Sequence, residues 1–180
     1  MKHFILETER LQIIPLKHFQ LINYLKVDGS LEEQLNVHFI QRKIEPQLIV
    51  AFEKFILPSV GNPSKNYLFS TLWTIISKKD RLMVGDFAFK GEPDQNGEVE
   101  IGYRTFIQFQ NKGYMTEAVR AICRWALDQP GIINIKAEMD KVNPASKRVL
   151  EKAGFSKSEA TDGKPIWYMK KPAEIALETD

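Results

Sequence analysis

The sequence holds a single cysteine, Cys123, among 180 residues. One thiol cannot form an internal disulfide or a multi-cysteine metal site. The three histidines, His3, His18 and His38, show none of the spacings of a structural zinc site, so no metal is expected. An excess of one charge is missing too. Twenty-five basic residues stand against 23 acidic ones, a net charge of +2, which argues against a nucleic acid or a membrane surface as partner. The densest basic cluster, Lys78 to Arg81, is broken by Asp80 and reads as a solvated turn. No apolar run approaches the roughly 20 residues of a membrane-spanning helix. The opening MKHFILETER lacks the apolar core and small-residue cleavage site of a secretory signal, so a cytoplasmic location is expected. Repeats, low-complexity tracts and long linkers are also missing. Residues 1–180 are therefore expected to form one domain, a size that buries about 70% of its unfolded surface.

What is present is an ordinary globular composition, 43% hydrophobic and 27% charged. TERLQIIPL, from Thr8, reads as one short strand, and LKHFQLINYLKVD as a helix with Phe19, Leu21, Ile22 and Leu25 together. EPQLIVAFEKFILP places Pro46 early and apolar residues at 48, 49, 52, 55 and 56, the pattern of an amphipathic helix stopped by Pro58. Phe52, Phe55 and Trp73 read as core rather than a substrate cage. FSTLWTIIS, RLMVGDFAFKG and EVEIGYRTF are three strand-like runs separated by turn chemistry, an antiparallel meander. After a further helix, Ile133, Ile135, Ala137 and Met139 alternate onto one strand face. VNPASKRVLEKAGF then carries Asn143 as N-cap, Pro144 in the first turn and Gly154 just past the end. A strand from Phe155 and another through PIWYMKK close the order β-α-α-β-β-β-α-β-α-β-β. The class is α/β (α+β), with a right-handed helical crossover joining the last meander strand to the next.

The joint QNKGYMTEA, Gln110 to Ala118, holds the strongest chemical signal. After Gly113, apolar residues fall at Met115, Ala118, Val119, Ile122, Cys123, Ala126 and Leu127, one face of a helix. Cys123 on that face reads as a small core residue. A strand leads into the joint, so its glycine stands at a helix mouth where free N–H groups point outward. A Walker loop or dinucleotide fingerprint needs more glycines. The joint alone admits two readings, an anion seat or a helix start that binds nothing.

IGYRTFIQFQNKGYMTEAVRAICRWA, Ile101 to Ala126, resembles the acyl-CoA-binding signature of the GNAT superfamily of N-acetyltransferases. It is most similar to the RimJ/RimL-like branch of ribosomal-protein N-terminal acetyltransferases. Glu100, Ile101, Gly102 and Tyr103 match the end of the branch's strand, and Asn111 to Ala118 match its helix joint. TERLQIIPL, MVGDFAF and NPASKRVLEKAGF match further segments in the same order, so the resemblance covers nearly the whole chain. It implies a mixed, mostly antiparallel twisted sheet of about seven strands flanked by about four helices. It implies acetyl-CoA as cosubstrate, its pyrophosphate on the N–H groups of Asn111, Lys112, Gly113, Tyr114 and Met115, with Gln110 and Thr116 alongside. Its pantetheine chain would run along the backbone of Tyr103, Arg104 and Thr105. Two positions depart from the pattern. Asn111 replaces a glycine but tolerates positive φ well. Met115 replaces a small residue and either narrows the phosphate seat or points into the core.

The resemblance further implies direct attack of an amine on the thioester. A lysine amine costs roughly 4–5 kcal/mol to present neutral at pH 7, an N-terminal α-amine only about 1–1.5 kcal/mol. An α-amine therefore needs little more than a weak base. Glu100 shares a strand face with Glu98 and Gly102 and is either that base, directly or through water, or part of a solvated face. By resemblance Ser146 approaches the coenzyme A sulfur as the acid, to hydrogen-bond or protonate the thiolate. The other reading is a first-turn serine satisfying local backbone, and Asn143 beside it reads as N-cap, site residue or both. Tyr114 reads as packing at the helix start rather than as a catalytic phenol. The expected partners are acetyl-CoA and an amine acceptor, on a protein N-terminus or a small molecule, in a monomer or homodimer. Acceptor choice should depend on residues 17 to 57 and a late hairpin near Thr161 to Ile166. The alternatives are an idle acyl-CoA-binding sensor, or an enzyme for a polyamine, amino sugar or amino acid.

Overall fold

The meander forms the middle of an eight-stranded sheet in a computed structural model that describes residues 4–139, 143–158 and 165–171. The strands are β1 (Leu6–Glu7), β2 (Leu11–Pro15), β3 (Leu72–Ser77), β4 (Leu82–Phe89), β5 (Glu98–Thr105), β6 (Asn134–Glu138), β7 (Ser156–Ser158) and β8 (Ile166–Lys170). Their order across the sheet is β1-β2-β3-β4-β5-β6-β8-β7. Among the described residues only β5 and β6 pair in parallel. Parallel neighbours need a long crossover, supplied here by helix α5 (Tyr114–Leu127).

Two helical layers sandwich the sheet, which is why all six residues of β3 are buried. On one face α5 buries Met115, Ala118, Val119, Ile122, Cys123, Ala126 and Leu127, its 3.6-residue stripe meeting the sheet. Beside it lies α6 (Pro144–Ala153). Trp125 of α5 joins Phe69, Trp73 and Phe89 in an aromatic cluster with centroids 5.2–6.2 Å from the indole. The other face carries α1 (His18–Lys26), α2 (Ser30–Leu35) and a helix beginning with α3 (Pro46–Ala51). There Tyr24 stacks on Phe52 (5.7 Å, 13°) and donates its hydroxyl to buried Asp86 (2.6 Å).

Several expectations are corrected. Pro58 does not stop its helix. The chain passes through a π-turn, Phe52–Ile56, into α4 (Leu57–Val60), with the Leu57 amide bonded five residues back to the Phe52 carbonyl. The wider turn accommodates a ring that an unbroken α-helix would exclude. It also shifts the helical phase, so Phe52 is fully buried while Phe55 is 66% exposed and is not core. TERLQIIPL is not one strand. Thr8, Glu9 and Arg10 form the turn of a β1–β2 hairpin, closed by the Thr8 amide on the Leu11 carbonyl (3.0 Å). Ile133 lies one residue before β6 and is 56% exposed, so it does not share the buried face of Ile135, Ala137 and Met139. Counting α3 through α4 as one, the described residues hold five helices, since α2 went unread. In the late hairpin, residues 161–164 lie outside the described residues, as does His3.

Candidate active site

The sheet opens at its parallel seam. Pairing between β5 and β6 runs only from Glu98–Asn134 to Ile101–Ala137, while β5 continues to Thr105 along β4. From Gly102 onward β5 therefore has a neighbour on one side only among the described residues. Such an edge offers peptide N–H and C=O groups to an extended ligand.

Two helix N-termini face this opening. At the first, Asn111 takes φ 61° and Gly113 φ 77°, so the chain coils tightly before α5 begins. Asparagine and glycine are the residues that hold positive φ at least cost. The first intrahelical bond of α5 runs from the Glu117 amide to the Gly113 carbonyl (3.1 Å). The amides of Tyr114, Met115 and Thr116 precede it and point out of the helix toward the cleft, at the positive end of the dipole. At the second N-terminus, the Asn143 side chain accepts from the Ser146 amide (3.0 Å), the cap read from the sequence.

Between them lies a cleft of about 370 Å³. Tyr103, Arg104 and Thr105 form its strand wall, and Gln110, Asn111, Gly113, Tyr114, Met115 and Thr116 its joint wall. Asn143 and Ser146 close it from α6. The Met115 side chain is buried (3% exposed) and reaches toward Gly85 in the sheet, so it does not fill the seat. Within the cleft the Tyr103 hydroxyl lies 2.8 Å from Ser146 Oγ and 3.3 Å from the Ser146 carbonyl. Burial pushes the Tyr103 phenol up to about 12, only partly offset by Ser146. The pair is neutral and protonated across the physiological range.

Of the expected residues, Lys112 and Glu100 do not line the cleft, and Tyr114 lines it without turning its hydroxyl to the Tyr103–Ser146 pair. Lys112 lays its ammonium 5.2 Å from the Phe109 ring centroid. Tyr114 presents its ring to Arg10 (4.9 Å) and its hydroxyl to Asp80 (3.3 Å), a packing role at the helix start. Glu100 lies on the sheet face opposite Tyr103, ion-paired with Lys90 and with Lys136 (3.8 Å). Arg104 turns its peptide groups to β4, its carbonyl lying beside Gly85, so the open edge is presented by the backbone of Tyr103 and Thr105. The Arg104 side chain turns to the sheet face opposite Tyr103, bonding Asp86 (2.8 Å) and the Tyr24 hydroxyl (3.0 Å). Burial raises the Asp86 carboxyl above its ordinary value despite the Arg104 charge. Cys123 is fully buried and its thiol is pushed up by burial, which leaves it inert core.

Arg148 and Lys152 also line the cleft, and the sequence reading passed over them. Their signal was available, since Ala145, Arg148, Val149 and Lys152 fall on one face of α6 at helical spacing. They bring positive charge to a site whose expected ligand is polyanionic.

A sheet splayed at a parallel seam, with a helix mouth at the opening, is the GNAT architecture. The acetyltransferase (GNAT) domain family matches residues 42–156, and the chain belongs to that family. A protein of Bacillus subtilis (strain 168) described as the uncharacterized N-acetyltransferase YjdG is 39% identical over 83 residues, 46% of this chain and 49% of that protein. The chain spans about half the length of the curated relatives it matches. Among solved structures, the ribosomal-protein-S5-alanine acetyltransferase of Vibrio fischeri superposes with a TM-score of 0.64 at 14% identity, over 94% of this chain and 98% of that one. RimL, a ribosomal L7/L12 alpha-N-protein acetyltransferase solved with coenzyme A, gives 0.61 at 14% identity, over 93% and 98%. At such identities the likeness is one of fold. No helix among the described residues is long and apolar enough to cross a membrane, and no group of three or more His, Cys, Asp and Glu there is placed to hold a metal.

Proposed function

We propose that the protein is an acetyl-CoA-dependent N-acetyltransferase acting on a primary amine, either a protein N-terminal α-amine or a small amine. The observation that carries this reading is one cleft uniting the open β5 edge, the unpaired amides at the start of α5 and the Tyr103–Ser146 hydroxyl pair. The residues fit the cosubstrate. The amides of Asn111 to Thr116 suit a pyrophosphate, Met115 leaves their seat clear, and Arg148 and Lys152 supply further positive charge. The open edge from Gly102 to Thr105 suits the amides of the pantetheine arm.

Acetyl-CoA supplies an acetyl thioester that an amine attacks directly. Backbone N–H groups on the β5 edge would polarise its carbonyl. As the C–S bond breaks, Ser146 would give a proton to the departing sulfur and regain one from the attacking nitrogen as the amide forms, with Tyr103 orienting the serine through their 2.8 Å bond. Glu100 would receive the ammonium proton from the opposite sheet face, through water. An α-amine asks little of that base, as its deprotonation costs only about 1–1.5 kcal/mol at pH 7. The similarity to RimL and to the S5-alanine enzyme supports a protein N-terminus as one acceptor class.

Glu100 also favours a second reading. Its carboxylate is engaged by two lysines and does not line the cleft, as suits a protein that binds acyl-CoA without transferring the acyl group. The deciding experiment incubates the protein and acetyl-CoA with a panel of N-terminal peptides, polyamines, amino sugars and amino acids, following free thiol. Release dependent on one acceptor class supports the transferase. Binding of acetyl-CoA with no release across the panel overturns it in favour of the second reading.

A further inference from the structure

The hairpin turn that takes the first three residues of the expected first strand puts Arg10 against the helix joint, more than a hundred residues away in sequence. Its Nη1 donates to the Lys112 carbonyl (3.1 Å), and its Nε to Glu117 Oε2 (2.6 Å). Its own amide donates to Glu117 Oε1 (3.0 Å), which also accepts from the Thr8 hydroxyl (2.6 Å). The guanidinium lies over the Tyr114 ring, 4.9 Å from its centroid. Its Nη2 has no hydrogen-bond partner among the described residues and stands 3.4 Å from where a Cβ on Gly113 would be.

We infer that Arg10 is a positioning residue of the cosubstrate seat, an inference that rests on reading the α5 mouth as the place of the pyrophosphate. Arg10 does not line the cleft; it grips the joint from behind. In a planar trans peptide the C=O and N–H point in opposite directions. Holding the Lys112 carbonyl outward therefore turns the Gly113 N–H the other way, toward the cleft. The φ 61° of Asn111 and φ 77° of Gly113 leave that peptide as the hinge of the coil, and Arg10 is the side chain that fixes its plane. A second effect is electrostatic. Glu117 sits in the first turn of α5, where a bare carboxylate would repel a phosphate bound at the same mouth. Arg10 neutralises it at 2.6 Å. One guanidinium thus orients the donor and silences the competing anion.

The test measures acetyl-CoA affinity by calorimetry, and displacement of acetyl-CoA by inorganic pyrophosphate, well below each variant's melting temperature. Arg10→Ala is expected to weaken both by the same factor, about five- to twentyfold. Arg10→Ala with Glu117→Gln is expected to recover part of the loss, because the repelling charge is gone. A purely structural role would lower the melting temperature without moving the pyrophosphate constant. Folded Arg10→Ala that binds acetyl-CoA within about twofold of wild type, or that loses acetyl-CoA but not pyrophosphate affinity, overturns the inference. Should Arg10→Ala not fold, Arg10→Lys decides. Lysine keeps the charge but lacks the fork that spans Glu117 and the Lys112 carbonyl, so about threefold weaker binding is expected and wild-type affinity overturns the inference. Failure of the wild-type protein to bind acetyl-CoA overturns the underlying reading instead, a separate outcome.

Discussion

Replacing Gly85 by alanine tests whether the open β5 edge is the working part of the site. Gly85 pairs with Thr105 at the end of the β4–β5 ladder. A Cβ there would stand 2.4 Å from the Arg104 carbonyl oxygen, 2.9 Å from Met115 Cε and 3.3 Å from Thr105 Cα. The methionine methyl can swing aside, but the Arg104 and Thr105 contacts are backbone, so the strand itself must shift. Overpacking of this kind costs about 1–3 kcal/mol. At roughly 2–4 °C per kcal/mol for a chain of this size, the melting temperature should fall about 2–12 °C. The shifted strand carries Tyr103 and Thr105, whose peptide groups face the open edge proposed to meet the thioester arm, so acetyl-CoA should also bind about tenfold more weakly. Thermal unfolding and calorimetry on the same preparation read both effects. A melting temperature unchanged within about 1 °C refutes the packing argument. A fall in melting temperature with unchanged affinity refutes the placement of the ligand on this edge.

Three further outcomes are expected. Ser146→Ala should lower kcat by about ten- to a hundredfold with little change in the acetyl-CoA KM, and Tyr103→Phe should do nearly the same; a KM effect alone would assign the pair to binding. Glu100→Gln should lower kcat/KM at pH 7 and lose less by about pH 9, where an α-amine is already neutral. No change at either pH would leave Glu100 a strut between Lys90 and Lys136. Burial opposes the Glu117 charge, but Thr8 and Arg10 more than reverse this and hold its carboxyl below the ordinary range. Its stabilising contribution is therefore present above the unfolded-state value and lost as pH falls through the folded-state one. Melting temperature measured from about pH 5 to 3 should fall less steeply in Glu117→Gln than in wild type, and equal slopes would refute the linkage.

The helix joint was legible because its signals are local. Gly113 marks the mouth, the three- and four-residue spacing from Met115 to Leu127 marks the buried face, and Asn143 and Gly154 cap α6. Pro58 was misread because the feature that tolerates it, a π-turn, lies in the hydrogen-bonding register of the backbone and leaves no residue signature. The first hairpin was missed because Thr8, Glu9 and Arg10 make a turn without glycine, proline or asparagine. Met115 could be resolved only in three dimensions, since the space it enters exists because Gly85 has no side chain. Arg10 was invisible for a similar reason. Every side-chain contact that gives it meaning lies on the helix joint, far along the chain.

The central claim is that the α5 mouth is an acetyl-CoA seat, and a calorimetric titration of wild type against Gly113→Glu tests it most directly. At φ 77° a glutamate is strained, and it brings an anion to the place proposed for the pyrophosphate. The account predicts saturable binding of acetyl-CoA by the wild type, lost in a variant that circular dichroism shows to be folded. No binding by the wild type, or equal binding by the folded variant, would contradict it.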